Sequence, residues 1–163
     1  MALKKQQTHG SVVIMDGAVV AGDVTLGEDC AVWYNAVIRG DEGPIVIGDR
    51  TNVQDGAVLH STVNGPLLRI GSDVTIGHRA IVHGCTVGSH TLIGMGAILL
   101  DGCTVGDRCL VGAGALVTGK TVVPDGHMIV GNPGRVVRAL SEEEIQGLDD
   151  SAREYAALKE KHR

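Results

Sequence analysis

Aliphatic residues recur along this chain at every sixth position. Ile14, Val20, Leu26, Val32 and Ile38 keep the beat, which breaks at 40–44 and resumes at Ile47, Val53 and Leu59. A second break, 61–68, precedes Ile70 and Ile76; from Val87 the series runs through Ile93, Leu99, Val105, Val111, Val117, Val123 and Ile129. The position four after each ladder residue is nearly always small, as at Ala36, Thr51, Ala57, Ala80, Thr91, Ala97 and Ala115. Glycine often follows the ladder residue directly, as at Gly48, Gly71, Gly77, Gly94 and Gly112. A helix would place apolar residues every three or four positions and a simple strand every two, so neither explains the pattern. A period of six, with glycine at tight corners and small side chains packed beneath them, predicts a parallel β-helix.

The beat stops at the turn cluster Gly131-Asn132-Pro133-Gly134. Ser141 and Glu144 then form a capping-box sequence, with Leu140 and Ile145 placed as a hydrophobic staple. Ile145, Leu148, Ala152, Tyr155 and Ala156 continue at helical spacing, although Gly147 and the polar run 149–151 leave room for either one helix or two short ones. The expected organisation is a mainly β domain, residues 1–138, with a C-terminal α-helix, residues 139–163, packed on it.

Composition narrows the picture. Hydrophobic residues make up 44% of the chain but aromatics only 2%, so the interior must be narrow and lined by Val, Ile and Leu. A net charge of −5 with no basic block argues against a nucleic-acid partner. No apolar run approaches the ~20 residues of a membrane span, and residues 1–10 lack the apolar core of a signal peptide. A soluble, cytoplasmic protein is expected. Cys30, Cys103 and Cys109 fall in the small slot, and Cys85 joins them if Ile81 belongs to the ladder; packing is the favoured role for all four.

Around His78 and His83 the beat loses one residue. His60, His78 and His83 each directly follow a ladder aliphatic or glycine near a slip, whereas His9, His90, His127 and His162 read as surface residues. Three imidazoles with an open fourth position are the ligand set of a catalytic zinc, although any one of them alone would read as structural. His78 and His83 should occupy successive faces, directed roughly 120° apart. Sharing one ion would then require a ligand from a neighbouring chain, which cyclic packing of a three-sided prism allows.

The Arg39-Gly40-Asp41 triplet, Asn52-Val53-Gln54-Asp55, Leu59-His60, Gly77-His78 and His83-Gly84-Cys85 together resemble the γ-class carbonic anhydrases, hexapeptide-repeat proteins, and their bacterial homologues. The resemblance implies a left-handed coil and a homotrimer with one metal per interface. His60 and His83 would come from one chain and His78 from the next; zinc is the expected ion, and iron and cobalt also suit imidazoles. The implied activity is reversible hydration of CO2 to bicarbonate by a metal-bound hydroxide. Gln54 and Asn52 match residues that orient the hydroxide or bicarbonate. Arg39 matches an arginine paired with an acid across the interface, and Asp41 and Asp55 match acids of that network; an interface salt bridge without chemistry is an equal reading of these three. The segment 61–68 departs from the best-characterised members in carrying no acid, and Glu42 is the nearest replacement for their proton-shuttling glutamate. Two alternatives stand beside this reading: an acyltransferase or thioesterase acting on a coenzyme A thioester, and a non-catalytic trimeric scaffold stapled by metal.

Overall fold

The computed structural model describes residues 7–8 and 10–162; His9 lies outside the described residues. The chain winds as a parallel β-helix with three faces. Most strands are two residues long, as at Leu92–Ile93, Ile98–Leu99 and Thr104–Val105, and each pairs in parallel with the strand one coil later. Val58–His60, Ile81–His83, Ile98–Leu99 and Leu116–Val117 stack on the first face. Leu68–Ile70, Thr86–Val87, Thr104–Val105 and Val122–Val123 form the second. The third runs from Val13–Ile14 to His127–Val130. The long strands Val19–Leu26 and Val37–Ile47 turn the corner between the first two faces and join them into one sheet.

Short strands suffice because alternation gives each one inward and one outward side chain. The inward residue is the ladder residue. Leu26, Val32, Ile38, Ile76, Ile93, Leu99 and Ile129 are all buried in a single continuous core, with the small-slot residues Ala36, Ala57, Ala80, Ala97 and Ala115 between them. Ile14 keeps its place in the column opposite Val32 but is exposed in the first coil.

The register around Ile81, open in the sequence, is decided by burial. Ile81 faces outward, 38% exposed, and Val82 is the fully buried ladder residue. The beat from Ile76 therefore reaches Val82 intact, and the missing residue falls between Val82 and Val87. The chain turns that corner through Gly84 at φ +49°, a left-handed conformation suited to glycine. Cys85 still points inward, next to Cys103.

All four cysteines are free and buried. Cys109 Sγ donates to the Pro124 carbonyl at 3.1 Å, and Thr91 Oγ1, in the same slot, donates to Gly106 at 2.9 Å. At this corner the slot takes a small side chain that bonds the coil above, whereas at other corners it holds alanine. Burial pushes the Cys30 thiol up to about 11, which suits packing and not nucleophilic chemistry.

A single helix, α1 (Glu142–Lys159), ends in one tight turn, Glu160–His162. Ser141 Oγ accepts from the Glu144 N–H at 3.2 Å, and the Glu144 carboxylate accepts from the Ser141 N–H at 2.9 Å, so the capping box forms. The helix lies along the third face, burying Leu148 and Ala152 while Tyr155 and Leu158 pack against Met15, Ala31 and Trp33. Lys159, its stem buried, reaches Asp29 Oδ1 at 3.0 Å, and Asp149 bonds His90 Nδ1 at 2.7 Å. His90 is therefore a latch for the helix. Among the described residues no helix is long and apolar enough to cross a membrane.

The cap should give α1 an acid-sensitive start. Arg138 bonds both Glu144 oxygens at 2.7 Å and, with the Ser141 N–H, holds that carboxyl at about 2 instead of its ordinary 4.5. A depressed folded value contributes stability above 4.5 that is lost as the pH falls through about 2. Circular dichroism of the native protein should show helix signal declining across that window. In Glu144→Gln that decline should be absent and the signal at neutral pH already lower.

Candidate metal centre

The residue after each ladder position on the first face points outward at the strand end. Strand pairing puts Arg39, His60 and His83 there in one column, on three successive coils. His60 Nδ1 and His83 Nε2 face one another at 3.1 Å. Behind them stand two carboxylates: Asp41 Oδ1 lies 3.1 Å from His60 Nε2, and Asp101 Oδ1 is in close contact with His83 Nδ1. Arg39 bonds the second oxygen of Asp41 within the same chain, and Thr62 Oγ1 donates to Asp101 Oδ2 at 2.8 Å. Desolvation works to raise Asp41, but the bonds from Arg39 and His60 outweigh it and hold its carboxyl below the usual range. The His83 contact, opposed by desolvation and helped by Thr62, does the same for Asp101.

His78 sits elsewhere, just past Gly77 where the third face turns toward the first. Its backbone N–H donates to Gln54 Oε1 at 3.1 Å, and its Nδ1 lies 2.9 Å from Asp55 Oδ2. Gln54 Nε2 donates to Asn52 Oδ1 at 3.2 Å and Asn52 Nδ2 to Thr75 Oγ1 at 3.0 Å, so a buried amide chain fixes the backbone of this histidine. The Tyr155 hydroxyl of α1 is 3.5 Å from His78 Nε2; burial, then the Asp55 charge, push that phenol up. Glu42 is exposed beside Asp41.

The residues singled out from the sequence therefore form two half-sites. One holds Arg39, Asp41, His60 and His83; the other holds Asn52, Gln54, Asp55 and His78. Among the described residues no three His, Cys, Asp or Glu of one chain gather round a common point. Asp101, Thr62 and Tyr155 escaped sequence reading. Aligning whole coils puts Leu100 over His83 and leaves Asp101 as an extra corner residue, so the repeat does not mark it.

The His60–His83 pair fits a metal. Two nitrogens bound tetrahedrally at 2.0–2.1 Å stand about 3.3 Å apart, close to the 3.1 Å seen. Each ring is held from behind by a carboxylate, the usual support of metal-binding histidines. With His83 donating through Nδ1, its Nε2 keeps a lone pair on the side that faces His60, where an ion could bind.

A groove of about 420 Å³ runs from His78 between α1 and the upper third face. Its floor is the side-chain-free column Gly77, Gly94 and Gly112, walled by Leu92, Leu110 and Tyr155.

Residues 7–40 and 84–119 match the family described as Bacterial transferase hexapeptide (six repeats). The chain is 50% identical over 157 residues to Protein YrdA of Escherichia coli (strain K12), covering 93% of this chain and 85% of that protein. It is 50% identical over 150 residues to a protein of Methanocaldococcus jannaschii named "Probable carbonic anhydrase", covering 92% and 94% respectively. The solved structure of a hexapeptide transferase family protein from Anaplasma phagocytophilum superposes with a TM-score of 0.93 at 35% identity, covering 97% of this chain and 93% of that one. With half its residues shared along nearly its whole length, and with the same coiled scaffold, the chain belongs to the γ-class carbonic anhydrase-like family of hexapeptide-repeat proteins.

Proposed function

We propose that this protein is a metal-dependent carbonic anhydrase-like enzyme that hydrates CO2 reversibly, working as a homotrimer with a site at each subunit interface. The observation that carries this is the facing pair His60 and His83, each backed by a carboxylate, with a third carboxylate-backed imidazole, His78, displaced to another corner. His60 and His83 of one chain and His78 of the next would hold the ion; an all-imidazole set favours zinc and also suits iron or cobalt. Such an ion supplies a Lewis acid that ionises water near neutral pH. Gln54 Nε2 spends one N–H on Asn52, leaving the second free to orient a substrate oxygen. Arg39 holds Asp41 on His60 and adds positive charge beside the place where bicarbonate forms. Exposed Glu42 is the group available to carry protons to solvent.

The first face supports the trimer. Beside the histidine column runs an outward apolar column of Val19, Val37, Val58, Ile81, Ile98 and Leu116. Val19 is half exposed, and Val58 and Ile81 more than a third. A contiguous apolar strip of this kind calls for a protein cover, and a second copy bringing its His78 is the cover the half-sites require.

The deciding measurement is CO2 hydration by protein of known metal content. Hydration should be slow, lost on chelation, and raised by added imidazole, because segment 61–68 carries no acid to export protons. Fully loaded protein showing no hydration at any imidazole concentration would refute the reading.

The groove favours a second reading. Its volume falls within the ~300–1,000 Å³ of small-molecule sites, and its apolar walls end at His78. CO2 needs no such space, whereas the acyl chain of a thioester would use it. Acetyl-CoA turnover that survives metal removal would point to acyl transfer. Stability that falls on chelation, with neither activity, would point to a metal-stapled scaffold.

A further inference from the structure

We infer that Asp101, clamped by Thr62, is the positioning residue that aims His83 at the metal, and that the shortened corner at Gly84 is what admits it. The inference rests on the metal-site reading above. Pairing of Val82 with Leu99 and of Thr86 with Thr104 leaves three residues in the lower corner, 83–85, and four in the upper one, 100–103. Asp101 is the unmatched residue. Gly84 N–H donates to the His60 carbonyl at 3.0 Å and Gly102 N–H to the Gly84 carbonyl at 2.8 Å, so the two corners remain stacked despite the difference.

Space decides where the extra residue goes. A Cβ on Gly84 would lie 2.6 Å from Asp101 Oδ1, so the carboxylate occupies room that only glycine leaves. From there one oxygen meets His83 Nδ1 and the other accepts from Thr62. Thr62 belongs to the acid-free segment between the first and second faces, closed on itself by the Gly65 N–H to Thr62 carbonyl bond at 2.9 Å. Asp101 is thus held on both oxygens. It fixes the Nδ1–H tautomer of His83 and the tilt of its ring, leaving Nε2 as the ligand atom. The short segment, without a proton carrier, has a holding role.

The test compares zinc and cobalt affinity of full-length, metal-free variants by competition with a chromogenic chelator. Asp101→Ala should weaken binding about 10–100-fold. Asp101→Asn should recover part of the loss, since its amide oxygen can still accept, while Gly84→Ala and Thr62→Val should weaken binding in the same direction. Nitrogen-15 spectra of the metal-free imidazoles supply a readout that a merely structural role would leave alone. His83 should be Nδ1-protonated in the native protein and a tautomer mixture in Asp101→Ala. Unchanged affinity and tautomer in folded Asp101→Ala overturn the inference, even if thermal stability drops. Should that variant not fold, Thr62→Val decides by the same two readouts. His60→Ala is the separate control: if it keeps its metal, the metal-site reading itself has failed.

Discussion

Chains carrying His78→Ala and chains carrying His83→Ala should each bind zinc at least ~100-fold more weakly than the native protein, yet recover binding when mixed. His83 lies in one half-site with His60, and His78 in the other. In the proposed closed trimer each interface would use His60 and His83 of one chain and His78 of the next. A mixed trimer therefore contains one interface at which a His78→Ala chain offers its intact pair to a neighbour whose His78 is intact. About one ion per mixed trimer should return, and hydration with it. Unfolding the two variants together and refolding them, followed by metal analysis, makes the comparison. If both variants lose metal and mixing restores none, sharing across the interface is wrong. Full metal in His78→Ala alone would remove that residue from the ligand set.

Leu99→Ala should lower global stability by about 2–5 kcal/mol, a large part of the ~5–15 kcal/mol available to a domain. Leu99 is fully buried, and stacks between Val82 below and Val117 above. The prism is narrow and has no large rings to swing into the gap, so the cavity should collapse little. Val122→Ala is the comparison: that side chain is 66% exposed on the second face and should shift stability by no more than about 0.5 kcal/mol. Chemical denaturation of both variants measures the difference. Equal, small losses would show that the ladder residues do not carry the fold.

The fold was legible because every coil repeats one demand, so the period of six and the small slot each had many chances to be seen. The register at Ile81 was not. Ile81 and Val82 are both aliphatic, and only the coil above, with Leu99 buried over Val82, tells which points inward. His60 and His83 could be picked out because each follows its ladder residue, which is what aims a side chain off the face. Their supports were beyond reach: Asp101 is 18 residues from His83, and Tyr155 is 77 from His78. Asp41 and Asp55 were chosen by resemblance as interface acids. Within one chain they lie against His60 and His78, a local role that no motif spells out.

The rod is a linear array in which each coil touches only its neighbours, and its length is therefore a separate variable from its chemistry. The two half-sites draw their strand and corner residues from Arg39 to Asp101. The coils beyond contribute Leu110 and Gly112 to the far wall and floor of the groove but nothing to either histidine cluster. Insertion or loss of a whole upper coil would lengthen or shorten the groove while His60, His78 and His83 keep their spacing. In such a scaffold the reach of a bound molecule and the reactivity at its tip can change independently, one by counting coils and the other by altering a single corner.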